Sequence, residues 1–336
     1  MHMSDALITP VVGGTMLATS SGVMGYSIRT IKTDIFEKRL PLMAVMGAFL
    51  FAAQMINFAI PGTGSSGHIG GGMLLSIILG PAAGFLTMAC VLLIQALFFA
   101  DGGLLAFGCN LINLGFFTAY VAYPLVFKPI MKRGVGRKTI MVASILASVV
   151  GMQLGSLGVV AETFLSGRTE LTLGVFLLFM QPIHLAIGLI EGVITGVVVN
   201  YLYSQNSHMI YSETEETLRS HHSQRRLVMR IAVAALMIGG LVSLFASASP
   251  DGLEWSIERT LETGSEVVND GSVVKWFESL QEDVAIMPDY GLKSETSSDA
   301  VGTSTAGIVG SSLTLLVTLL IGTFIRRRRR MADSYE

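Results

Sequence analysis

Apolar runs long enough to cross a lipid bilayer recur along this chain, and they constrain its fold more than any other feature. A helix needs about 20 apolar residues to span a hydrocarbon core about 30 Å thick. Such runs lie near 6–28, 41–60, 70–80, 82–100, 108–127, 139–162, 173–203, 230–248 and 304–325. The first is rich in Gly, Ser and Thr and contains Pro10, and 70–80 is too short to span unless tilted or packed against protein. Composition agrees, because 51% of residues are hydrophobic and only 14% charged, whereas a soluble domain carries about a quarter charged residues. The expectation is an all-α integral membrane protein, a multi-span helical bundle of about nine spans with eight as the fallback. Residues 1–28 have one acid and no base, so no cleavable signal is expected there.

Short cytoplasmic loops hold an excess of Lys and Arg, and the bases here fall in four places. Arg29, Lys32, Lys38 and Arg39 follow the first run; Lys128, Lys132, Arg133, Arg137 and Lys138 form the second group; Arg219, Arg225, Arg226 and Arg230 the third; Arg326 to Arg330 the last. Together they account for 18 of the 22 basic residues. With nine spans all four lie on one side, which places the N-terminus outside and the C-terminus inside, with 61–69 and 249–303 facing out. The arginine run abuts an apolar span and reads as a topology anchor that meets anionic lipid, not as a nucleic-acid tail.

Residues 1–203 form a nearly continuous membrane block. A polar cytoplasmic linker, 204–229, follows. The accessory block, 230–336, comprises a span, an exterior acidic segment, another span and the basic tail. The exterior segment 249–303 has 12 acids against Arg259, Lys275 and Lys293. Such a surface either concentrates divalent cations near an entrance or is the solvated face of a small exterior domain. Within it Leu253, Ile257 and Leu261 repeat every fourth residue, the pattern of a short amphipathic helix.

Catalytic and energy-coupling signatures are missing. The nearest approach to a phosphate-cradling GxxxxGK[ST] loop is Gly134–Thr139, which has the wrong spacing, and the sequence contains no HExxH, GxSxG or clustered CxxC. Cys90 and Cys109 sit in apolar stretches and read as small packing residues. No catalytic residue and no cofactor is expected, so the chain is not expected to be an enzyme. A transported or sensed ligand is the better class of function.

The histidines then become informative. His208, His221 and His222 lie in the linker, where they are either solvated or a weak metal site. His184 shares a helical face with Gly188, Gly192 and Gly196, and Glu191 lies near that face; the two read as a buried polar pair supporting a site, or as metal ligands. His2 is different, because an unremoved Met1 leaves a free amine. That amine, the His2 backbone nitrogen and the His2 imidazole can close a five-membered and a six-membered chelate ring on one ion. A fourth nitrogen would complete the square geometry suited to Ni(II) or Cu(II) and accessible to Co(II). His68, in the exterior loop SSGHIGGG (Ser65–Gly72), lies on the same side.

The opening MHMSDALITP, the stretches FAAQMINFAIPGTGSSGHIGGGMLLSIILGP (51–81), IQALFFADGGLLAFGCNLIN (94–113) and IHLAIGLIEGVITGVVV (183–199) resemble the CbiM/NikM family. These are the substrate-capture components of energy-coupling-factor cobalt and nickel transporters. The remainder, with SPDGLEWSIE (249–258) and MPDYGL (287–292), is similar to the PDGLE domain of the accessory N component. The resemblance implies a multi-pass protein of a prokaryotic cell membrane that holds Ni(II) or Co(II) with Met1, His2 and His68. It implies partners too: a membrane coupling protein (T component) and cytoplasmic ATPase subunits that supply the work of release. Family members commonly have Pro-Asp-Gly after the third residue, where this chain has Ser4-Asp5-Ala6. The departure spares the ligands and is expected to loosen the turn that buries the N-terminus. Gln54, Asn57, Gln95 and Asn110 are candidates for orienting the imidazoles or for interhelical hydrogen bonds. Asp101 reads as a helix-end residue. Two rival readings are a metal-responsive membrane sensor and an ATP-independent cation carrier built on His184 and Glu191.

Overall fold

The computed structural model describes residues 2–31, 33–167, 172–205, 221–247, 249–262, 272–291 and 299–333. Met1 and most of the linker, His208 included, lie outside them.

The chain begins inside the protein. Met3, Leu7 and Ile8 are buried, and a single 3-10 turn, Asp5–Leu7, bends the segment toward the first helix. Ser4-Asp5-Ala6 does not prevent that turn, because Asp5 Oδ1 accepts the Ala106 N–H at 2.8 Å and ties it to a neighbouring loop. Helix α1 (Pro10–Thr30) starts with Pro10 in its first turn, where the missing N–H costs nothing, and with Thr9 as cap. Helix α2 (Thr33–Gln54) leads to a small antiparallel hairpin, β1 (Phe58–Ile60) and β2 (Ser65–Gly67), with Ile60 opposite Ser65.

Helix α3 (Gly72–Leu79) is buried along its whole length. Its eight residues reach only about 12 Å, so it does not cross a bilayer as a helix alone. Arg39 Nη1 donates to Leu79 O at 2.7 Å, which sets the far end of α3 level with the start of the apolar part of α2. Gly80, at φ +85°, turns the chain back into α4 (Pro81–Phe99). A long apolar rod follows, formed by α5 (Phe107–Leu111), π-type turns to Phe127 and α6 (Lys128–Met131). Then come α7 (Arg137–Ser166), α8 (Leu173–Gln205) and α9 (His221–Gly240). Two short helices, α10 (Gly252–Leu261) and α11 (Ser272–Val284), precede α12 (Asp299–Asp333).

Among the described residues six helices are long and apolar enough to cross a membrane: Pro81–Phe99, Phe107–Met131, Arg137–Ser166, Leu173–Gln205, Val228–Phe245 and Val301–Arg328. Arg39–Gln54 is a shorter apolar helix. The count differs from the expected nine because α1 is diluted by small polar residues and α3 is short.

Small residues let the helices touch. Gly188, Gly192 and Gly196 on α8 form the expected small-residue face, and it packs on the α7 backbone at Val149, Ile145 and Met141. Gly239 of α9 meets Gly307 of α12, and Gly310 and Gly322 of α12 receive Phe51 and Leu40 of α2. The accessory helices are thereby docked on the first block by the close-approach packing that membrane helices favour. Cys90 and Cys109 are buried free thiols.

A Cβ at Gly192 would overlap the Ile145 backbone. Gly192→Val is therefore expected to pry α7 from α8 and cost about 2 kcal/mol of stability, read as a fall of several degrees in Tm of the full chain in detergent.

Candidate functional site

The amino-terminal segment is held by its main chain. Asn110, on α5, accepts the Met3 N–H at 2.7 Å through Oδ1 and donates Nδ2 to Met3 O at 3.1 Å. Gly103 N–H adds a third bond to Met3 O at 2.8 Å. Side chains have no room at the contact, since a Cβ on Gly103 would overlap the Asp5 carboxylate and one on Gly102, at φ +82°, would press on Asn110. Deeper in, Asn113 donates to Glu162 at 2.7 Å, a buried carboxylate on α7.

This anchoring delivers His2 to a loop corner where two more groups meet it. His2 Nδ1 donates to Asp101 Oδ1 at 2.8 Å, and the Tyr290 hydroxyl donates to Asp101 Oδ2. Burial pulls the Asp101 pKa up, but the His2 ring beside it and the hydrogen bonds from His2 and Tyr290 bring it down to about 2. Asp101 is thus an anion that accepts from His2 Nδ1, on the side of the ring away from Nε2. That Nε2 is buried without a partner.

The His68 ring lies against the His2 ring, with centroids 5.1 Å apart and planes 26° from parallel. His68 Nδ1 donates to Ile69 O at 3.1 Å, which ties the ring to its own loop. Burial first, then the positive charge of the amino terminus and His2, push the His68 pKa down to about 4. The ring is neutral above that pH and keeps its lone pair.

Two buried polar chains hold the His68 loop. Gln95 Nε2 donates to Gln54 Oε1 at 2.9 Å, and Gln54 Nε2 donates to Gly70 O at 3.0 Å. From the other side Glu191 accepts the Gly70 and Gly71 N–H groups at 2.8 and 3.1 Å. His184 does not join Glu191. Its Nδ1 donates to Met180 O at 2.8 Å, and its Nε2 is buried without a partner among the described residues. The two residues occupy one helix face but serve different neighbours.

The structure therefore brings His2 and His68 together, with Gln54, Gln95, Asn110 and Glu191 holding the segments that carry them. Asn57 reaches the surrounding cavity, and its carbonyl accepts the Ser247 N–H at 2.8 Å. Among the described residues no group of three His, Cys, Asp or Glu side chains is placed to hold a metal ion. Closing a six-membered chelate through His2 requires Nδ1, the atom that Asp101 occupies here. Sequence reasoning passed over Asp101 as a helix end, and it gave Tyr290 no role. Nothing local marks either residue; a long-range contact between the two blocks makes them a pair.

Comparison with known proteins finds a transport family. Residues 2–209 match the family described as cobalt uptake substrate-specific transmembrane region, CbiM, and residues 225–327 match the PDGLE domain. The chain belongs to the CbiM family and carries a PDGLE domain after it; it is a multi-pass membrane component of metal transport, not an enzyme. It is similar along its length to a protein of Archaeoglobus fulgidus described as a fused nickel transport protein, NikMN, 32% identical over 99% of this chain and 100% of that one. The fused nickel transport protein NikMN of Rhodobacter capsulatus is 28% identical over 79% of this chain and 78% of its own length. The crystal structure of a truncated transition-metal transporter is 30% identical, with a TM-score of 0.54, over 61% of this chain and 99% of that one.

Asn110→Ala removes both side-chain bonds to Met3 and is expected to release the amino-terminal segment. Two lost buried bonds of about 1 kcal/mol each predict that the Met3 amide exchanges its hydrogen at least tenfold faster, measurable by hydrogen-exchange mass spectrometry.

Proposed function

We propose that this chain captures Ni(II) or Co(II) from outside the cell as the substrate-binding component of an ATP-driven transporter of the energy-coupling-factor type. The observation that carries the reading is the stacked pair His2 and His68, two imidazoles brought ring to ring at the tip of a buried amino-terminal segment. Two imidazoles alone do not hold a divalent ion tightly. The nitrogens that complete a planar set are the Met1 amine and the His2 amide, which supports main-chain chelation over a side-chain cage. His2 Nδ1 exchanges Asp101 for the metal, and the protons of amine and amide leave as the ion binds.

Release to the inside needs work. The membrane coupling protein and the cytoplasmic ATPase subunits supply it in this reading. Nine passes with the N-terminus outside accommodate the arrangement: the 55–71 loop and α3 together form the third pass, which the contact of Arg39 with Leu79 supports. The site loops and the accessory segment then share the exterior side, and the arginine tail meets lipid on the interior side. The separate engagements of His184 and Glu191 favour capture over a proton-coupled carrier built on those two residues.

Adding one residue before Met1, or changing His2→Ala or His68→Ala, is expected to abolish Ni(II) retention without unfolding the membrane block, whose helical content by circular dichroism stays unchanged. Unaltered retention by the extended protein would overturn the main-chain chelate. Glu191→Ala leaves two buried N–H groups unpaired beside His68, and it is expected to weaken Ni(II) or Co(II) affinity about 10- to 100-fold, measured by calorimetric titration. Cells carrying the chain should accumulate radioactive nickel only when the ATPase partners are present, whereas a sensor would accumulate none.

A further inference from the structure

The arginine run of α12 borders an apolar cavity that metal capture does not use. Helix α12 packs on α2 and α4, α1 packs on α4 and α5, and the cavity lies in the wedge between the two packings. It measures about 200 Å³. Helix α1 contributes Met24 and Ile28 to its wall, α2 Phe36, α4 Ala89, and α12 Ile321 and Ile325. Gly322 brings α12 onto Leu40 of α2 at one side of the wedge, and the short side chains of Ala89 and Cys90 form its floor.

The wall decides what kind of guest fits. Its polar groups are the Cys90 thiol and the Thr318 hydroxyl, and no charged side chain lines it. A buried water needs roughly two to four polar partners, so a space of about 200 Å³ with two such groups suits hydrocarbon and not a water cluster. The mouth opens on the surface that meets lipid. Ile321 is 36% exposed, and Leu316, Leu320 and Phe324, which share one face of α12 at a spacing of four, are more exposed still. Lipid tails are as apolar as these side chains, so an acyl chain passes from that face into the wedge without a polar barrier.

Charge decides which lipid. At one end of the cavity Ile28 is followed directly by Arg29, and Ile325 by Arg326, Arg327 and Arg328. Arg29, Arg326 and Arg327 form no ion pair among the described residues. The neighbouring turn adds Lys32, Lys38 and Arg39 against Asp34 and Glu37, which leaves this end net positive. A hydrocarbon-lined slot with cations at one end is complementary to an amphiphile with a negative head.

We infer that the cavity binds one acyl chain of an acidic phospholipid, with the phosphate among Arg29 and the α12 arginines and the chain lying between α12 and α1. The site is separate from metal capture and does not depend on it. Its effect is mechanical: the lipid fills the seam where the last span of the accessory block meets the first block, and so helps to hold the two halves of the chain together.

The test is native mass spectrometry of the full chain released from detergent with one of three lipids added. These are dioleoyl phosphatidylglycerol, dioleoyl phosphatidylcholine, and dibutyryl phosphatidylglycerol, whose headgroup carries no chain long enough to enter. The unmodified chain is expected to retain one long-chain phosphatidylglycerol about tenfold more strongly than phosphatidylcholine, the preference that one or two bases near the headgroup supply, and to release the short-chain lipid. Ala89→Phe fills the cavity from α4, and Ile321→Trp narrows its mouth from a part-exposed position. Each is expected to cut retention of the long-chain phosphatidylglycerol at least tenfold while helical content by circular dichroism stays unchanged; where Ala89→Phe does not fold, Ile321→Trp decides. Arg326→Gln/Arg327→Gln is expected to erase the preference for phosphatidylglycerol over phosphatidylcholine. Equal retention of the two long-chain lipids by the unmodified chain, or retention indifferent to a folded cavity variant, would refute the site. Short-chain lipid held as strongly as long-chain lipid would reduce it to a headgroup contact and overturn the acyl-chain cavity. A chain that retains no lipid but crosslinks to the membrane coupling protein from a photoreactive group at position 321 would give the cavity to a partner helix and overturn the proposal as well.

Discussion

Backbone that leaves a helix inside a membrane-spanning bundle has no water to bond with, so its N–H and C=O groups must be paired by the protein. Among the segments that leave helix here are the amino terminus and the 65–71 loop, which carry the two histidines of the site. Several buried polar side chains around them bond main-chain partners. Asn110 holds Met3, Asp5 holds Ala106, Glu191 holds Gly70 and Gly71, and Gln54 holds Gly70. The imidazoles are positioned because the backbone beneath them is fixed.

This economy explains the glycines of the site. Gly70 and Gly71 bring their N–H groups to a carboxylate, and a side chain on Gly71, at φ +76°, would strike Leu50. Gly102 and Gly103 leave the space into which Met3 and Asp5 fit. Each glycine serves close approach, which is the same device, on a smaller scale, as the α7–α8 seam.

The accessory block does not stand apart from this arrangement. Its main chain and side chains grip the hairpin before His68 and the loop carrying Asp101, and Tyr290 completes the pairing that orients His2. A fused PDGLE domain therefore shares the site's walls. That accounts for a contact set spread over both halves of the chain and not confined to residues 1–203.

Hydropathy and the distribution of Lys and Arg were enough to read a helical membrane protein, because the cost of polar groups in lipid acts on each residue independently of the fold. The chelate proposed at His2 rests on ring sizes set by covalent bonds, which need no tertiary structure. The small-residue face on α8 also showed, because its spacing follows from helical geometry. Tertiary structure alone decided that His68 stacks on His2, that Glu191 serves the His68 loop and not His184, and that Asp101 is the partner of His2 and not merely a helix end. Those outcomes depend on contacts between residues 66 to 121 positions apart, and a contact across that separation leaves no trace in local spacing. The acidic exterior segment is the clearest case: composition showed its charge, but only folding put Asp251 and Asp289 against the histidines, because two turns far apart in sequence pack on one cavity.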